Sequence, residues 1–254
     1  IGRGEEAGPG FKNPIALALG EGDVMYVVNR SYDFRADSKR ITICTVGEEY
    51  IGEIGNAGRL GGEMVDDGES ADPGSLVWPV SISLDRQGNL YVSDEWLNRI
   101  SMFTSDGDWL GSWGIKGKAD GEFDKPSGIA FDHEDNLYIV DTGNNRVQKF
   151  TKDGRFLDKW GNEGTGDGEF NMPWGIDIDS NGDVFIADWR NDRIQKFTSD
   201  GRFLMKFGVP GSGDGELNRP TDMAVDAQGL IYVADWQNDR VQVFDSEGRF
   251  ITKI

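Results

Sequence analysis

The 254-residue sequence has one cysteine, Cys44, and one histidine, His133. A single thiol excludes an internal disulfide or a cysteine-rich metal cluster, and a single imidazole excludes a multi-histidine metal site. Any catalytic histidine is reduced to one candidate. Apolar runs extend only a few residues, so no helix-length transmembrane segment can be drawn. Basic residues are also scarce: 26 Lys+Arg against 45 Asp+Glu give a formal net charge of −19. Without a segregated basic patch such a chain repels a phosphate backbone, and nucleic acid is not an expected partner. No segment reads as a helix. The first residue is Ile1 rather than Met, which suggests a processed or trimmed product.

Glycine and tryptophan are abundant, at 36 and 8 residues, and they recur in register. Pro79, Pro126, Pro173 and Pro220 stand 47 residues apart. Each is followed by a short apolar stretch, a turn, a second stretch ending in Asp, a third opening on Arg, another turn and a fourth stretch. A looser copy opens at Pro14, and its 18 extra residues fall at 30–39 and 56–77. Each stretch alternates with period two, as strands do. In the first stretch the third and fifth residues after the proline are large (Leu17 and Leu19, Ile82 and Leu84, Ile129 and Phe131, Ile176 and Ile178, Met223 and Val225). Asp-Gly, Asn-Gly and Glu-Gly pairs supply the positive-φ residues of tight hairpins. One such sheet cannot bury two apolar faces alone, so the fold class is an all-β propeller of four-stranded antiparallel blades. A β-sandwich would not explain the fixed period. The blades span approximately 14–60, 79–117, 126–163, 173–210 and 220–254, with 1–13 as an inter-blade linker.

Asp94, Asp141, Asp188 and Asp235 each precede an arginine by five residues (Arg99, Arg146, Arg193, Arg240), with Asn98, Asn144, Asn191 and Asn238 nearby. A group that recurs in every blade serves a task every blade has, here a pair locking the second-to-third strand loop. The linker series Asp120-Gly121-Glu122, Asp167-Gly168-Glu169 and Asp214-Gly215-Glu216 carries hard oxygen ligands, which makes calcium the one cation to consider. It lacks the spacing of an EF-hand loop, so solvated turns plugged by Phe123, Phe170 and Leu217 are expected, with no cofactor and no dedicated metal ligands.

The run D-x-x-N-x-R-[IV]-Q-x-F, as in Asp188 to Phe197, followed by D-G-x-F and a G-x-G-x-G-E-F-x-x-P linker, resembles the NHL repeat. The resemblance covers nearly the whole chain and implies a β-propeller, commonly of six blades. Five units are counted here, which leaves two readings: a five-bladed ring, or six blades of which one is not in the given chain. Enzymes in this propeller group include a peptidyl-hydroxyglycine amidating lyase with histidine-held zinc, which one histidine excludes, and lactonases with a carboxylate-held cation. RNA-binding members rely on a basic face, which this charge disfavours.

The residues that vary are the candidates for function. Trp78 and Trp174 flank the prolines where first strands begin, while Trp96, Trp189 and Trp236 follow the repeated Asp, so all five are expected on one rim. Indoles beside carboxylates suit a protein, glycan or cationic small ligand. Asp177 and Asp222 replace the small residues found elsewhere on first strands (Ala16, Ser81, Gly128, Ala130, Ala224), and a charge there needs water, a partner or a ligand. A carboxylate site at the channel would make the chain a lactonase-like hydrolase or lyase. A non-catalytic binding scaffold is the principal reading. Trp109, Trp113 and Trp160 are expected to pack, His133 to be exposed in a turn, and Cys44 to be buried where other blades carry Phe. The composition fits an extracellular or periplasmic location.

Overall fold

A computed structural model describes residues 11, 13–30, 40–47, 49–57 and 73–254. Most of the linker at 1–13 and of the insertions at 30–39 and 56–77 lies outside them. The architecture is all-β and of the β-propeller class, with five four-stranded antiparallel sheets in sequential order. Blade one comprises Pro14–Leu19, Val24–Asn29, Arg40–Thr45 and Tyr50–Ile54, and blade two Pro79–Leu84, Leu90–Asp94, Arg99–Phe103 and Trp109–Trp113. Blade three comprises Pro126–Phe131, Asn136–Asp141, Arg146–Thr151 and Phe156–Trp160. Blade four comprises Ile176–Ile178, Val184–Asp188, Arg193–Phe197 and Phe203–Phe207, and blade five Pro220–Val225, Ile231–Asp235, Arg240–Phe244 and Phe250–Lys253.

The chain divides into two compact units, Ile1–Pro126 and Ser127–Ile254. In the first, Tyr26, Val28, Ile41 and Ile43 of blade one meet Ile82, Leu90, Val92 and Phe103 of blade two, with Ala16 and Ala18 packed against them. In the second, blade three presents Ala130, Tyr138 and Val140 to Ile176, Val184 and Ile186 of blade four. Blade four then presents Phe185, Ala187 and Ile194 to Met223, Ile231 and Val233 of blade five. In the first unit the small face of blade one's first strand, Ala16 and Ala18, fits Ile82 and Leu84 of blade two, and in the second unit Ala130 of blade three fits Ile176 and Ile178 of blade four. Leu17 and Leu19, on the large face of blade one, are 60 % and 65 % exposed.

In blades two to five the first-to-second turn is closed by an aspartate six residues after the proline. Asp85, Asp132, Asp179 and Asp226 each accept backbone N–H bonds two and four residues ahead. The linkers are more ordered than plain turns. Asn56–Ala57 pairs in parallel with Ser75–Leu76, and Ile115–Lys116 with Glu122–Phe123, while single parallel bridges join Glu163 to Phe170 and Pro210 to Leu217. Their plugs Phe123, Phe170 and Leu217 are fully buried. The linker glutamates fold back on their own turns, Glu122, Glu169 and Glu216 accepting from the backbone N–H of Ala119, Gly166 and Gly213. Three single turns of 3₁₀ helix, Thr142–Asn144, Trp189–Asn191 and Trp236–Asn238, occupy second-to-third loops that show no helical period in the sequence.

Candidate functional site

The loops that carry the tryptophans are held by the repeated aspartates. Asp188 Oδ2 accepts from Arg193 Nε at 2.8 Å, Asn191 Nδ2 at 2.8 Å and Gln195 Nε2 at 3.1 Å, while Oδ1 accepts from the Asn171 N–H at 2.8 Å. The rest of the Arg193 guanidinium donates to the carbonyls of Thr165, Gly166 and Glu169 in the preceding linker. Asp235 with Arg240, Asn238 and Gln242 repeats the arrangement, and Asp141 accepts likewise from Arg146, Asn144 and Gln148. Blade two differs. Leu97 and Ser101 stand where the others have Asn and Gln. Asp94 there accepts from the N–H groups of Val77, Trp78, Trp96 and Leu97, and Arg99 donates to the Ser75 carbonyl instead. Burial pushes the Asp94 carboxyl upward against those N–H donors. In register Asn98 matches Asn145, not Asn144, and its role is different.

That second role places the site. Asn98, Asn145 and Asp192, each left-handed at φ 51–53°, accept from the N–H of Lys125, Met172 and Arg219 at 2.9, 2.7 and 2.7 Å. Those acceptor-held residues precede prolines and are themselves left-handed, at φ 57°, 52° and 56°, a costly region for side-chain-bearing residues. Arg219 is thereby swung over the Trp189 ring, its Cζ 4.9 Å from the centroid, with Arg190 at 5.4 Å from the same ring. Trp174 packs beside Trp189 at 6.4 Å. Asn171, Trp189, Arg190, Arg219, Trp236 and Gln237 line an open depression of about 450 Å³, within the usual range of small-ligand sites, roughly 300–1,000 Å³. Trp236 is 54 % exposed there.

In the first unit Trp78 and Trp96 line a second depression of about 340 Å³ with Glu95, Asn98, Lys116, Asp124 and Lys125. Here the arginine has a carboxylate partner. Arg30 lies 4.4 Å from the Trp78 centroid and 3.8 Å from Glu95. Burial pushes the Glu95 carboxyl upward, opposed by Arg30, Lys125 and a bond from the Trp78 indole.

Asp177 and Asp222 sit on neighbouring first strands of blades four and five. Asp177 Oδ2 accepts from the Val225 N–H across that boundary at 2.7 Å, and Oδ1 from Ile178 at 2.8 Å. Asp222 accepts from the Met223 N–H at 3.0 Å. Crowding by protein pushes both carboxyls upward, and the Asp177 charge adds to the rise at Asp222, to about 7. Asp222 keeps solvent exposure, so water screens part of that rise. The close approach of the strands is enforced by glycine: a Cβ on Gly175 would lie 2.7 Å from the Thr221 carbonyl and from Asp222 Cα. Among the described residues no three His, Cys, Asp or Glu side chains converge as a metal site.

His133 is exposed at the opposite, first-to-second turn end, in a depression with Phe131, Asp132, Ile178, Asp179 and Ser180. Cys44 is fully buried, and burial pushes its thiol upward. Trp160 packs on Tyr138 and Phe197, and Trp113 on Phe123, but Trp109 is 43 % exposed. Arg190, Arg219, Asn171 and Gln237 were not legible as site residues. The available signal was the departure of Arg190 and Arg219 from Gly143 and Met172 at the same repeat positions.

Residues 123–150, 170–197 and 217–244 match the NHL repeat family. No curated protein matches the chain. Among solved structures, that of streptogramin B lyase superposes with a TM-score of 0.66 at 13 % identity, covering 98 % of this chain and 70 % of that one. A catalytically inactive variant of virginiamycin B lyase from Staphylococcus aureus with quinupristin gives 0.64 at 16 % identity, covering 94 % and 68 %. A chain of the nidogen/laminin complex gives 0.66 at 20 % identity, covering 96 % and 80 %. At such identities the likeness is one of fold. With three repeats in register and five four-stranded blades, the chain is a β-propeller carrying NHL repeats.

Proposed function

We propose that the chain is a binding module, not an enzyme, and that it holds a protein, glycan or small ligand on its tryptophan-bearing loops. The observation that carries this reading is the depression around Trp189 and Trp236, where an exposed and a half-buried indole and two arginines with no carboxylate partner among the described residues are presented on loops locked by buried Asp–Arg pairs. The repeated polar residues are consumed in that locking, which leaves them unavailable for chemistry. One structural neighbour is a chain of the nidogen/laminin complex and others are named as lyases, so the fold itself does not choose between binding and catalysis. The inactive lyase variant replaces a histidine by alanine; this chain's one histidine, His133, lies at the opposite turn end from the tryptophans.

The double variant Trp189→Ala/Trp236→Ala should stay folded and lose every binder that the wild-type protein shows on an oligosaccharide and peptide array. Unchanged binding of those hits would overturn the assignment. A second reading, a metal-dependent lactonase-like hydrolase, is favoured only by the raised carboxyl of Asp222 beside Asp177. Metal analysis of protein prepared without chelator, with a lactone-hydrolysis assay, tests it: turnover lost in Asp222→Asn would establish catalysis.

A further inference from the structure

The two tryptophan depressions differ in how their arginines are satisfied. Arg30 in the first unit has Glu95, and the loop arginines Arg146, Arg193 and Arg240 each have an aspartate. Among the described residues Arg190 and Arg219 make neither ion pair nor side-chain hydrogen bond; both guanidiniums lie against the Trp189 ring. Arg219 Nη1 is also shielded from solvent without a hydrogen-bond acceptor. Two guanidinium groups converging on one indole repel each other, and a buried donor left unpaired is costly. An anion bound by both guanidiniums would offset that repulsion.

The rest of the lining defines the anion. Among the described residues the Asn171 and Gln237 side-chain amides make no hydrogen bond, so each offers donors and an acceptor to neutral hydroxyls. Trp236 offers an exposed, flat apolar face, which suits the C–H face of a pyranose ring. Guanidinium donors match the planar carboxylate bidentately. We infer that the depression bounded by Trp189, Arg190, Arg219 and Trp236 is a binding site for an acidic sugar, a uronate residue of an oligosaccharide. Its carboxylate bonds Arg219 and Arg190, its ring lies on an indole, and its hydroxyls reach Asn171 and Gln237. This rests on the binding-module reading and names its ligand class.

Variants that preserve the fold are provided by the repeat itself. Met172 occupies the left-handed position of Arg219, at φ 52° against 56°, and Gln237 stands in register with Arg190. Arg219→Met and Arg190→Gln therefore place residues the repeat already accepts. Titration by tryptophan fluorescence and calorimetry would use trimers of galacturonate, mannuronate and glucuronate, their methyl esters, and tetraglutamate. At least one acid trimer should bind saturably. Its ester, and Arg190→Gln/Arg219→Met with the acid, should bind at least about tenfold more weakly, since charge-assisted bonds contribute at least that factor. Equal binding of acid and ester, equal binding by the double arginine variant, tighter binding of tetraglutamate, or no binding of any acid trimer would overturn the inference. If a neutral glycan or a peptide binds and Trp189→Ala/Trp236→Ala abolishes it while the arginine variant does not, the acidic-sugar assignment falls and the binding module stands. If no array hit responds to the tryptophan variant, both fall.

Discussion

Replacing Arg193 by Met tests whether the buried Asp–Arg pair is what holds the loops. The guanidinium makes four hydrogen bonds at 2.8–2.9 Å, one to Asp188 and three to linker carbonyls, and both partners are nearly inaccessible. The substitution leaves the Asp188 carboxylate buried with only neutral donors, so it should cost about 3–5 kcal/mol. At about 2–4 °C per kcal/mol for a chain of this size, Tm should fall by roughly 6–20 °C. Arg99→Met is the internal control. Arg99 makes one bond, to the Ser75 carbonyl, and its loss should cost only about 1 kcal/mol. Equilibrium urea unfolding followed by fluorescence and by circular dichroism gives both values, and coincident transitions show that no blade unfolds separately. Equal losses for Arg193→Met and Arg99→Met, or a loss under about 1 kcal/mol at Arg193, would refute the argument.

Gly175→Ala should cost about 1–3 kcal/mol from overpacking, and adding Asp222→Ala should not restore stability, because a backbone carbonyl, that of Thr221, is among the atoms the Cβ meets. Thermal melts of both variants check this. Asp222 is raised in the fold, so the native state holds the proton more tightly than the unfolded chain. Its contribution to stability is greatest below the unfolded value and is lost as pH rises toward about 7. The Tm of Asp222→Asn relative to wild type should therefore increase from pH 4 to pH 7, and parallel curves would contradict it. Asp192→Ala removes the acceptor of the Arg219 N–H and should cost about 1–3 kcal/mol, measurable by urea unfolding.

The period of 47 and the alternation within each stretch were enough to set strand number, turn placement and the plugs at Phe123, Phe170 and Leu217. These features depend on local pattern and on repetition, both of which a sequence displays directly. Trp189 and Trp236 could be seen as unusual for the same reason. In the second unit they line one depression, and Trp174 packs against Trp189; in the first unit Trp78 and Trp96 line another. What the sequence could not show was which charges lack partners. Arg193 and Arg219 look alike in a string of letters, yet one is bound to a buried aspartate and the other lies over an indole. The difference arises because Arg219 takes a left-handed backbone conformation held by Asp192, 27 residues earlier. The repeat period determined the sheets; long-range hydrogen bonding at loop ends, which depends on three-dimensional closeness and not on spacing, decided where the free cations and exposed indoles meet.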